Sequence, residues 1–121
     1  MSELKDVPIN GADRVPLIID LPAGSSDYFE IIGKSLTVTL QSGLVTLQPG
    51  QDIGSHNTEN YEELIVVLKG HGEVETDGFG RRKITKGQIA YNPPQTQHNV
   101  YNVGSGILRY IYIVANTAKA M

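Results

Sequence analysis

The chain contains no cysteine, which excludes disulfides, Cys-based zinc ribbons and a thiol nucleophile. That absence leaves the compartment open. Positive charge is not in excess either: 10 Lys and Arg against 13 Asp and Glu give a net charge of −3. Such a balance offers no electrostatic footprint for nucleic acid or an anionic bilayer. Long apolar runs are also missing. The longest purely aliphatic stretch is Leu64–Leu68, far short of the roughly 20 residues that span a membrane. The opening residues, Met1-Ser2-Glu3-Leu4-Lys5-Asp6, are charged and lack the apolar core of a signal peptide. No 12-residue window shows helical periodicity, and no 20–50-residue repeat is visible. The chain has no Gly-rich phosphate loop, no nucleophile elbow and no helix-turn-helix signal. The expectation is a cytoplasmic protein with no nucleic-acid partner, no membrane association and no nucleotide cofactor.

What is present points to strands. Val, Ile and Thr together number 30 of 121 residues, against 6 Ala. Side chains branched at Cβ are stiff about χ1 and suit a pleated sheet better than a helix. Hydrophobic residues at 40% and charged residues at 19% are an ordinary globular balance and argue against disorder. The 13 Gly and 6 Pro are spread along the chain as punctuation. The organisation expected is an N-terminal arm over residues 1–15 and one domain over 16–121. Strands are predicted at Leu17–Leu21, Tyr28–Ile32, Ser35–Leu40, Leu44–Gln48, Glu63–Lys69, Gly72–Thr76, Arg81–Thr85, Gln88–Asn92, His98–Val103 and Ile107–Ala115. Gln41-Ser42-Gly43 reads as a three-residue hairpin connection, and Asp77-Gly78-Phe79-Gly80 as a second turn. Many short strands at 8–12-residue spacing indicate a sandwich, jelly roll or small barrel.

Two histidines occupy informative places. His56 follows the turn signal Pro49-Gly50 and precedes the strand that opens at Glu63; His98 follows Pro93-Pro94 and opens another strand. Imidazole and carboxylate suit a divalent transition metal, and two histidines with one carboxylate leave coordination positions open. A period of two places Glu63, Ile65 and Val67 on one face and Leu64, Val66 and Leu68 on the other. Both faces are apolar, as for a strand between a barrel interior and a second packed layer. An ionised Glu63 on the interior face needs a partner, a metal or water. Glu62 points the opposite way.

The spacing of these residues resembles the cupin family. Its first motif is matched by Gly50, His56, Glu63 and Gly70, and its second by Gly87, Pro93, His98 and Asn102. Eight of ten defining positions agree, both internal spacings are intact, and 16 residues separate Gly70 from Gly87. The resemblance implies an all-β cupin double-stranded β-helix, a jelly-roll β-barrel. It further implies a divalent metal (Fe, Mn, Ni or Zn) held in the barrel mouth by His56, Glu63 and His98. It also implies a small-molecule ligand or substrate, with isomerase- or oxygenase-like chemistry. The alternative is a metal-free cupin that binds a small ligand without catalysis. No catalytic residue is assigned.

Two positions depart from the pattern. Thr58 stands where the family has a second histidine, which reduces four ligands to three. Gln95 stands in place of a glycine, in the turn before His98. Glu59 is a candidate to enter the space beside Thr58, although a solvated carboxylate is the plainer reading. Asn102 is expected to serve hydrogen bonding, His71 to be an exposed turn residue, and Arg81-Arg82-Lys83 to be a solvated cluster. Tyr61, Tyr91 and Tyr101 are expected to pack, while Tyr110 and Tyr112 share a face, so that one of them could line the pocket. In similar small cupins an apolar arm such as Pro16–Ile32 packs across a partner, so a homodimer is expected.

Overall fold

A computed structural model describes residues 14–33 and 35–119. Nine strands account for its regular structure: β1 (Phe29–Ile32), β2 (Leu40–Leu47), β3 (His56–Asn57), β4 (Tyr61–Lys69), β5 (His71–Thr76), β6 (Gly80–Thr85), β7 (Ile89–Asn92), β8 (Gln97–Tyr101) and β9 (Leu108–Asn116). A single 3-10 turn, Thr117–Lys119, follows the last strand. No helix among the described residues is long and apolar enough to cross a membrane.

All strand pairs are antiparallel. They form a five-stranded sheet in the order β1-β2-β9-β4-β7 and a four-stranded sheet in the order β3-β8-β5-β6. The two sheets face each other as a jelly roll, the double-stranded β-helix. Period-two alternation decides which side chains fill the space between them. Val45 and Leu47 from β2, Ile65 and Val67 from β4, Leu108 and Tyr110 from β9 meet Val74, Ile84 and Val100 from the opposite sheet. Glu63 lies on this same inner face, as the sequence pattern implies, and is 7% exposed.

Most predicted strands appear with their ends shifted by one or two residues. Three readings are corrected. Leu17–Leu21 is not a strand; prolines at 16 and 22 bracket it, and Ile18 is 99% exposed. The chain just beyond it is tethered by the Arg109 guanidinium, which donates to the carbonyls of Pro22 and Ala23. Second, Ser35–Leu40 is not a strand leading into a Gln41-Ser42-Gly43 hairpin: residues 35–39 are turns and bends, and Gln41-Ser42-Gly43 is the interior of β2, which pairs without interruption with β9. Gly43 is there for close approach rather than for a turn. A Cβ at this position would meet the Tyr28 hydroxyl and come within 2.6 Å of the Tyr112 ring. Third, the outer face of β4 lacks a second packed layer among the described residues, since Leu64 and Leu68 are exposed. Of the arm expected at 1–15, residues 1–13 lie outside the described residues.

The motif glycines behave as their positions suggest. Gly50, Gly70 and Gly87 all have φ between 84° and 87°, in the left-handed region that L side chains avoid. At Gly70 a Cβ would also strike the backbone of Ile107.

Candidate metal centre

Three strands from both sheets deliver the site. β3 and β8 are paired so that His56 lies directly opposite His98, with ring centroids 4.1 Å apart. β4 brings Glu63 from the facing sheet, so that one ligand atom from each of the three side chains lies within 4.8 Å of the others. The tertiary structure thus gathers residues separated by up to 42 positions into one cluster. Glu63 and His98 are buried, whereas His56 is exposed and marks the open side.

Backbone carbonyls set both imidazoles. His56 Nδ1 lies 2.9 Å from the Gly54 carbonyl, and His98 Nδ1 lies 3.1 Å from the Thr96 carbonyl. A carbonyl only accepts, so in each ring Nδ1 carries the hydrogen and Nε2 presents its lone pair. The loop holding Gly54 is braced in turn: its N–H donates to Asp52 at 2.9 Å and to Asn99 at 3.0 Å. Such outer contacts orient metal-ligating histidines.

Glu63 is oriented by its cross-strand neighbour Asn92, whose amide donates to Oε1 at 3.1 Å. His98 Nε2 approaches the same oxygen at 2.9 Å. Yet this nitrogen is buried and makes no aligned hydrogen bond: the contact is close, but the in-plane direction of Nε2 misses the carboxylate. Burial disfavours a charged His98, while the Glu63 carboxylate and the Thr96 carbonyl favour it; the balance raises its pKa above the ordinary imidazole value. A buried nitrogen with an unused lone pair, beside a carboxylate and a second free Nε2, is a donor set that fits a divalent ion.

Above the cluster is a cavity of about 310 Å³. Its walls are Val45, Ile53, Ile65, Val100 and Val114, with Tyr28, Tyr110 and Tyr112. Both Tyr110 and Tyr112 line it, as their shared face allowed. Tyr28 was not foreseen. It stacks on Tyr112 with centroids 6.4 Å apart, and the two hydroxyls are 2.5 Å apart. The only sequence signal for it is Gly43, which leaves room for both rings.

Thr58 does not face this cavity. It is 7% exposed, and its hydroxyl donates to the Pro93 carbonyl at 2.7 Å and accepts from the Thr96 N–H at 3.0 Å. The residue that replaces an imidazole therefore latches the turn that carries His98. Gln95 sits in that turn with φ 57°, which explains why a glycine belongs there. Glu59 is exposed, also at positive φ, and stays outside the cluster. Glu62 points outward and accepts from the Tyr91 hydroxyl at 2.9 Å. Asn102 is a structural hub: its amide donates to the Leu47 and Gly106 carbonyls, both at 2.9 Å. His71 is exposed at the start of β5, and Arg81 pairs with Glu73 at 2.7 Å.

The sequence profile of the family described as cupin domain matches residues 43–114. The chain belongs to the cupin family. Similar solved structures agree on the cupin fold. An RmlC-like cupin family protein with a double-stranded β-helix fold from Methanocaldococcus jannaschii is 17% identical, with a TM-score of 0.74 over 88% of this chain and 95% of that one. A predicted oxalate decarboxylase from Thermotoga maritima is 19% identical, with a TM-score of 0.67 over 74% and 78%. KdgF from Halomonas sp. is 20% identical, with a TM-score of 0.65 over 74% and 76%. Identities this low speak to the fold alone. No curated protein matches the sequence.

Proposed function

We propose that this cupin holds a divalent metal through His56, Glu63 and His98, and that the loaded site binds or transforms a small molecule in the cavity above it, with isomerase- or oxygenase-like chemistry. The observation that carries the reading is the convergence of three ligand atoms within 4.8 Å, with both histidine rings turned so that Nε2 is the free nitrogen. The nitrogen and oxygen donor set suits iron, manganese, nickel or zinc. When bound, such an ion supplies Lewis-acid polarisation of a substrate oxygen, and one-electron chemistry if it is redox-active. The chain's own residues do the rest. Asn92 and the Gly54 and Thr96 carbonyls hold the ligands in orientation, the apolar walls exclude water, and the phenols offer hydrogen bonds.

Metal analysis of protein purified without chelator, then dialysed against each divalent ion in turn, tests the proposal. The expected result is close to one ion per chain for the wild type and a clear loss in His98→Ala. Equal, negligible metal in both proteins would dismiss it. The metal-free binding reading would then stand if small ligands alone raised the melting temperature.

A homodimer belongs to the same reading. Leu40, Leu64, Leu68, Ile89 and Tyr91 are exposed on the outer face of the five-stranded sheet, where Leu64 pairs with Tyr91 and Val66 with Ile89. A contiguous apolar face of this kind is a surface that a second copy would cover. Light scattering coupled to gel filtration should give twice the chain mass at micromolar concentration; a single-chain mass rejects the dimer.

A further inference from the structure

We infer that the cavity selects a compact, largely apolar molecule bearing one acidic oxygen beside a second oxygen donor, a monoanionic O,O-chelator, over dianions of similar reach. The inference rests on the metal reading proposed above and adds the ligand's charge and size. Charge comes first. Both imidazoles coordinate as neutral rings, because their Nδ1 hydrogens are donated to carbonyls. Glu63 then contributes the one negative charge among the three ligands, and a divalent ion leaves one net positive charge. A single ligand oxyanion neutralises it.

A second negative charge would have no counterion. Among the described residues that line the cavity there is no lysine or arginine. Aliphatic walls such as Ile65 and Val100 face the space instead, and Glu30, whose charge acts on Tyr112, carries the wrong sign. An unpaired charge taken out of water into such surroundings is strongly disfavoured.

Size and polarity fit the same class. The volume of about 310 Å³ equals that of about ten water molecules, which suits a ligand of about ten heavy atoms. The Tyr28 and Tyr112 hydroxyls share one hydrogen across 2.5 Å, so the accepting hydroxyl keeps its own hydrogen to donate. Burial and the Tyr28 contact raise the Tyr112 pKa well above the ordinary phenol value, so Tyr112 stays neutral at physiological pH. One phenol hydrogen for one ligand oxygen is what a small O,O-chelator can use.

The test uses the full chain loaded with Ni(II), with tropolone as the monoanionic probe and oxalate as the dianionic one. Nickel retention is measured first by equilibrium dialysis. Tropolone affinity is read from its absorbance, and oxalate affinity by competition. The tropolone-to-oxalate preference of the protein is divided by that of aqueous Ni(II), which removes intrinsic chelation. The expected shift is about tenfold or more toward tropolone. Ile53→Lys, a change at an exposed lining position, should move the preference back toward oxalate. Replacing both phenols, Tyr28→Phe with Tyr112→Phe, should weaken tropolone by about threefold or more while nickel is retained. Nickel retained with no shift, with a shift toward oxalate, or with a preference indifferent to Ile53→Lys overturns the ligand inference and leaves the metal centre standing. Nickel not retained overturns both.

Discussion

His98 Nε2 lies 2.9 Å from Glu63 Oε1 but does not aim at it, and no other hydrogen-bond partner reaches this buried nitrogen. In metal-free protein the raised pKa of His98 makes the pair a charge contact without an aligned hydrogen bond, and its two members should respond differently to substitution. His98→Ala leaves a buried carboxylate with only the Asn92 amide, and the expected cost is about 3 kcal/mol in metal-free protein. Glu63→Gln removes the charge at nearly constant shape and should cost less than half of that. Combining the two should recover much of the His98→Ala loss, since the stranded charge is gone. Urea unfolding of the three variants measures this; strictly additive losses would contradict the pairing.

Gln95 holds a left-handed backbone conformation, φ 57°, that costs a side-chain-bearing residue about 1 kcal/mol. Its side chain reaches only Asn60, at 3.5 Å, at the limit of a hydrogen bond. Gln95→Gly should therefore raise the unfolding free energy by several tenths of a kcal/mol, up to about 1. A melting temperature that falls instead would show that the side chain contributes more than the backbone strain removes.

Gly43 should reject even a methyl group. The Cβ of an alanine would come within 2.6 Å of the Tyr112 ring, and overpacking of this kind costs about 1–3 kcal/mol. Near-ultraviolet circular dichroism should report a disturbed Tyr28–Tyr112 stack along with the lost stability. If the surface position Gly24, which has open space around a Cβ, proved equally sensitive, the close-approach argument would fail.

Tyr110 and Tyr112 should resist ionisation. Burial is the main cause at both, with the negative charge of Glu63 adding to it. The ordinary phenol value is 10.0, so above that pH the unfolded chain loses protons that the folded chain retains. Stability associated with these groups is complete below pH 10 and declines as pH rises further. A spectrophotometric titration should show two of the six tyrosines, Tyr110 and Tyr112, ionising only as the protein unfolds. Six equivalent phenols would refute it.

The predicted ligands and the observed cluster coincide because the relevant signals are local and periodic. Glu63 sits in register with Ile65 and Val67, so burying the apolar face of β4 carries the carboxylate inward with it. The spaced glycines mark places where only a left-handed backbone closes the turn. Gly43 misled for the same local reason: a glycine after Gln41-Ser42 reads as a turn when nothing in the sequence shows the two tyrosine rings that cross it. Leu17–Leu21 misled because an apolar run between prolines has strand composition, but the described structure offers it no pairing partner. Tyr28 and Asn92 were not legible as site residues, since Asn92 acts through its cross-strand neighbour Glu63 and Tyr28 reaches the cavity only by crossing over Gly43 to Tyr112.

The sequence by itself determined the all-β class, the two spaced motifs and the choice of His56, Glu63 and His98 as candidate donors, because residue chemistry and period-two burial are properties of the chain. Only the tertiary structure decided how these donors meet, which nitrogen each ring leaves free, and that Thr58 serves the turn rather than the cavity. Those outcomes depend on strand register and on which carbonyl lies opposite which ring, and both arise from pairings between residues remote in sequence.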